Sequence, residues 1–90
     1  MQHWVLNSEQ FDRVVFRAVK RTPYSGSWPI TAKTQYLLYE EGFLNPCEKQ
    51  PNEEDVFEAL SRLIQRQLVE KYVDVATGGI RYCICPHSRR

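Results

Sequence analysis

The feature that most constrains this chain is a change of hydrophobic period with no linker in between. Val56, Leu60, Leu63 and Ile64, flanked by Phe57 and Ala59, keep the spacing of one helical face. After Leu68 the period falls to two, with Val69, Lys71, Val73 and Val75 on one side and Glu70, Tyr72 and Asp74 on the other. Ala76-Thr77-Gly78-Gly79 supplies turn residues, and Ile80-Arg81-Tyr82 reads as the returning strand. The helix must bury its stripe and the hairpin one of its faces, so the two call for one shared core. Pairing Val75 with Ile80 puts Val73 opposite Tyr82 and Asp74 opposite Arg81, a register that yields an apolar face and a cross-strand ion pair together.

Two further helices are expected upstream. Asn7-Ser8-Glu9-Gln10 is a capping-box variant ahead of Phe11, Val14, Val15, Ala18 and Val19, which share one helical face. Arg13, Arg17, Lys20 and Arg21 fall on the opposite stripe and read as a solvated face with cations suited to the C-terminal dipole, with a partner or phosphate surface as the alternative. Thr22 to Pro29 reads as loop, because two prolines and Gly26-Ser27 interrupt any helix there. Ile30 is expected to begin a short strand, and Thr31 to cap a second helix through Tyr36, Leu37, Leu38 and Tyr39 that Gly42 ends. Residues 43–51 carry Asn45-Pro46 and Gln50-Pro51 and read as irregular, longer than the roughly 3–4-residue turn of the simplest helix-turn-helix. Asn52 caps the third helix, with Glu53, Glu54 and Asp55 in its first turn. Trp4, Tyr24, Trp28, Tyr36 and Tyr39 are expected to help build the core of so small a domain.

Ninety residues allow one domain, taken as 1–90 with its core at about 8–85 and a short flexible C-terminal tail. Apolar content of 42% with 26% charged residues places the chain among soluble globular proteins. No apolar run approaches the roughly 20 residues that span a bilayer, so no membrane partner is expected. Met1-Gln2-His3-Trp4-Val5-Leu6 lacks the basic and apolar regions of a secretory signal, which predicts a cytoplasmic location. The odd set Cys47, Cys83 and Cys85 predicts free thiols. A formal net charge of +1 means that any contact with nucleic acid must come from local clusters of cations.

Ala59 to Lys71, read as Ala-Leu-Ser-Arg-Leu-Ile-Gln-Arg-Gln-Leu-Val-Glu-Lys, resembles the end of the recognition helix and the first wing strand of MarR- and PadR-type winged-helix regulators. The likeness covers roughly residues 8–85, and Gln67 stands where those families commonly carry a helix-ending glycine. Phe11 to Lys20 with the following Pro- and Trp-containing loop is similar to winged-helix domains of phage and plasmid replication proteins. The resemblance implies an α+β winged helix-turn-helix, three helices followed by a two-stranded β-hairpin wing. It also implies a small DNA-binding protein acting in transcription regulation or in the replication and control of a mobile element. By position, Ser61, Arg62, Gln65 and Arg66 would enter the major groove of double-stranded DNA, while Lys71 and Arg81 would hold its backbone.

Glu54, Asp55 and Glu58 repel phosphate, so the alternative is a winged-helix adaptor that meets a protein partner through the third helix without binding DNA. A homodimer stays open, since the chain lacks a long extra helix but has six residues ahead of its first one. Cys83, Cys85 and His87 alternate on the outer face of the hairpin in this register, with Cys47 or His3 as further candidates for a metal. Paired zinc cysteines usually have at least two residues between them, and Pro86 breaks the strand, so no metal or other cofactor is expected. No phosphate-binding glycine loop, zinc-protease motif or activated nucleophile is present, and no enzymatic activity is expected.

Overall fold

A computed structural model describes residues 8–41 and 51–85. Three helices, α1 (Ser8–Arg21), α2 (Ser27–Glu40) and α3 (Glu53–Gln65), precede an antiparallel hairpin of β1 (Val69–Val73) and β2 (Ile80–Ile84). The chain is thus α+β, in the helix order that the periodicity predicts.

α1 buries Phe11, Val14, Val15, Ala18 and Val19 as expected, but its buried face also takes in Asp12. α3 begins with a complete capping box: the Asp55 amide donates to Asn52 Oδ1 at 2.9 Å, and the Asn52 amide donates to Asp55 Oδ2 at 3.0 Å. Its buried stripe is Val56, Ala59, Leu60 and Leu63, so Ala59 is central to the stripe, Ile64 lies at its edge, and Phe57 points outward.

α2 corrects the sequence reading. It starts at Ser27, with Gly26 as an extended N-cap residue that makes no side-chain cap. Pro29 sits within the first turn, where the missing N–H has no helical acceptor to lose. Ile30 is therefore a buried helical residue rather than a strand, and Thr31 is no cap. The hydroxyls of Thr31 and Thr34, both fully buried, instead donate one turn back to the carbonyls of Ser27 and Ile30, each at 2.8 Å. The strand expected at Ile30 is absent, and a single bridge lies five residues earlier, Ser25 to Tyr82, on the edge of β2 away from β1. Gly42, expected to end α2, lies outside the described residues, as do Asn7, Cys47, His87 and most of the α2–α3 connection.

The hairpin register is also two residues from the expected one: Val73 faces Ile80, Tyr72 faces Arg81 and Val69 faces Ile84. A two-residue shift leaves every side chain on its predicted face, which is why the alternation was right and the pairing was not. Asp74 causes the shift. Its Oδ1 accepts from the Ala76 amide at 3.0 Å, its carbonyl accepts from the Gly78 amide at 2.6 Å and its own amide donates to the Gly79 carbonyl at 2.7 Å, so it closes the turn at the end of the ladder. The Asp74–Arg81 ion pair persists as a diagonal contact of 3.0 Å.

Fully buried Val15, Val19, Ile30, Leu37, Leu38, Val56, Leu60 and Val69 form the core between the three helices and the proximal half of the hairpin. The polar ends are tied as well: Gln35 Nε2 donates to the Pro51 carbonyl at 2.7 Å, which holds the start of α3 against α2.

Candidate functional site

The six residues singled out by the sequence occupy three different environments. Gln65, Arg66 and Lys71 are exposed, and their side chains make no hydrogen bond or ion pair among the described residues. Ser61 is exposed, with its hydroxyl donating to the Phe57 carbonyl at 3.1 Å. Arg62 and Arg81 are engaged within the protein.

Arg62 grips Asp12 with both arms of its fork, Nη2 at 2.7 Å from Oδ1 and Nε at 2.9 Å from Oδ2. Asp12 is only 4% exposed, so the pair closes over a desolvated carboxylate. Hydrogen bonding to Asp12 raises the Arg62 guanidinium above its ordinary range against the opposing effect of burial. The sequence carried a signal for this partner: Asp12, Val15 and Val19 stand at i, i+3 and i+7, so an aspartate shares the buried stripe.

Arg81 is the second internal tie. Its Nε donates to Asp74 Oδ2 and its Nη1 donates to the Tyr24 carbonyl, each at 3.0 Å, which joins the hairpin turn to the α1–α2 loop. Tyr24 itself is held at φ +57°, rare for a bulky side chain, by its amide bond to the Tyr82 carbonyl at 2.8 Å. Its ring lies 5.7 Å from that of Tyr72, whose hydroxyl donates to Glu70 Oε1 and accepts from the Cys83 thiol. The bond to Glu70 drives the Tyr72 phenol well above its ordinary range. Cys83 and Cys85, which the alternation assigns to the outer face of the hairpin, are instead buried, and burial pushes the Cys85 thiol up. Among the described residues no group of three or more His, Cys, Asp or Glu side chains is arranged to hold a metal ion.

At 3.6 residues per turn, Glu54, Phe57, Glu58, Ser61 and Gln65 form the outward ridge of α3. Phe57 is 51% exposed between two carboxylates. Arg62 and Arg66 lie one turn apart on the flank nearer α1, not on this ridge. On that flank α1 and α3 enclose a half-open groove of about 300 Å³, with Phe16, Leu63 and Leu68 among its walls and Arg13, Arg17 and Arg66 around it. Arg13 faces Glu9 at 3.6 Å, and Arg17 pairs closely with Glu41. Sequence spacing grouped Arg13 with Arg17 but had no means of bringing Arg66 to them.

The aromatic residues expected in the core are also placed differently. Trp28 is 62% exposed, and Tyr24, Tyr36 and Tyr39 are exposed as well; Trp28, Tyr36 and Tyr39 share the outer face of α2 with Ala32, and Trp4 lies outside the described residues. No helix among the described residues is long and apolar enough to cross a membrane. No protein-family model matches the chain, and no curated protein is detectably similar to it.

Proposed function

We propose that this chain is a small winged-helix DNA-binding protein that acts in transcriptional control or in the replication and control of a mobile element. The order of three helices and a hairpin, with the loop before α2 adding one rung to β2, supports the winged-helix reading. The observation that carries the DNA reading is the exposure of Gln65, Arg66 and Lys71 across the junction of α3 and β1, with their donors uncommitted among the described residues. In this reading Ser61 and Gln65 face the base edges, and Arg66 and Lys71 meet phosphates. Arg62 and Arg81 serve as positioning residues, the first setting α3 on α1 and the second setting the hairpin turn. The test is fluorescence anisotropy of a labelled duplex pool at low and at moderate salt. Steep salt dependence with an enriched sequence supports the reading, and absence of binding at low salt overturns it.

A second reading, a protein-binding adaptor, is favoured by one observation: the outward ridge of α3 presents Phe57 between Glu54 and Glu58. Such a face suits a cationic partner with an apolar pocket better than a phosphate backbone. It predicts a defined protein partner that Phe57→Ala abolishes, and no DNA affinity above weak non-specific background.

A further inference from the structure

From the α1–α3 groove we infer a binding site for an amphipathic organic monoanion, a small apolar body carrying one carboxylate. The site lies on the α1 flank of α3, beside the outward ridge, and shares Arg66 with the phosphate contacts of the DNA reading. Its volume, about 300 Å³, is at the small end of the range for small-molecule sites, which fits one or two fused rings rather than a macromolecular segment. Leu63 is 2% exposed and forms the floor, with half-buried Phe16 and Leu68 beside it. An apolar body placed there displaces water chiefly from the half-buried Phe16 and Leu68.

The charge pattern selects the head group. Among the described residues, Arg13, Arg17 and Arg66 line the groove with Glu9 and Asp12, while Arg62 and Glu41 pair with lining residues from outside it. Asp12 takes the fork of Arg62, Glu9 faces Arg13, and Glu41 pairs with Arg17. One guanidinium is left over, that of Arg66, which has no partner among the described residues. A planar fork at the edge of an apolar floor matches a single carboxylate in the bidentate manner that arginine favours. A cation would meet unpaired positive charge there. A neutral ligand would gain the floor alone.

The test uses the full ¹⁵N-labelled chain with two probes of one shape, 2-naphthoate and the neutral 2-naphthalenemethanol, followed by amide shifts. Saturable shifts by naphthoate are expected at Phe16, Arg17, Leu63, Arg66 and Leu68, with the alcohol weaker by about tenfold or more, as loss of a charged hydrogen bond implies. Arg66→Gln should remove that preference while the alcohol still binds, and its dispersed spectrum would show that the fold is intact. Equal binding of acid and alcohol, shifts that map elsewhere, an unchanged preference in Arg66→Gln, or no saturable shift at millimolar probe would each overturn the proposal.

Discussion

Arg62 of α3 and Asp12 of α1 form a two-armed ion pair across the helix interface, with the carboxylate 4% exposed and the guanidinium open to solvent on one side. This contact makes one of the arginines that the sequence offers for DNA a strut between two helices.

Arg62→Ala should therefore act first on stability. It leaves a buried carboxylate without its partner, and because the guanidinium is partly exposed the cost is expected to be about 2 kcal/mol, below that of a fully buried pair. A urea unfolding midpoint reads it directly. Asp12→Ala in the Arg62→Ala background should add much less than it does alone. Additive losses in that cycle would mean that the two side chains do not couple.

Gln67 occupies φ +61° immediately after α3, where its amide donates to the Ile64 carbonyl and that of Leu68 donates to Leu63. This is the paired closure in which glycine is preferred, because a side chain makes the left-handed conformation costly. Gln67→Gly is expected to raise stability by about 0.5–1 kcal/mol, and Gln67→Val to lower it. A thermal or urea midpoint that falls in the glycine variant would contradict this account of the helix end.

The Asp74 carboxyl lies below its ordinary value of 3.8, first because it accepts from the Ala76 amide and then because Arg81 faces it. A carboxyl depressed in the folded state contributes stability above its unfolded pKa and loses it as the pH falls through the folded value. The hairpin turn should thus hold above about pH 4 and loosen below it. The Ala76 and Gly78 amide shifts followed through an acid titration check this. The dependence should vanish in Asp74→Asn.

For the DNA reading, Arg66→Ala with Lys71→Ala should weaken binding and reduce the salt slope by about two, since each lost phosphate contact contributes roughly 0.9. Thermal unfolding should change little, because both side chains are exposed and unpaired among the described residues. Duplex binding with an unaltered slope would remove these two residues from the interface.

Local physics accounts for what the sequence by itself determined. α1 and α3 follow from strict helical spacing, the start of α3 from the Asn52–Asp55 box, and the two faces of the hairpin from alternation, because each depends on neighbours within a few residues. α2 escaped that logic. Ile30, Leu37 and Leu38 are buried while Trp28, Tyr36 and Tyr39 are exposed, so apolar residues on both sides cancel the periodic signal. Pro29 then read as a break although it stands in a first turn.

Only the tertiary structure decided the rest. Asp12 and Arg62 are 50 residues apart in the chain and Tyr24 and Arg81 are 57 apart, and no window of local spacing connects them. The same holds for Arg66, carried to Arg13 and Arg17 by the packing of α3 on α1. Sequence could name the cations of this surface. Which of them are paired among the described residues depends on how the helices cross.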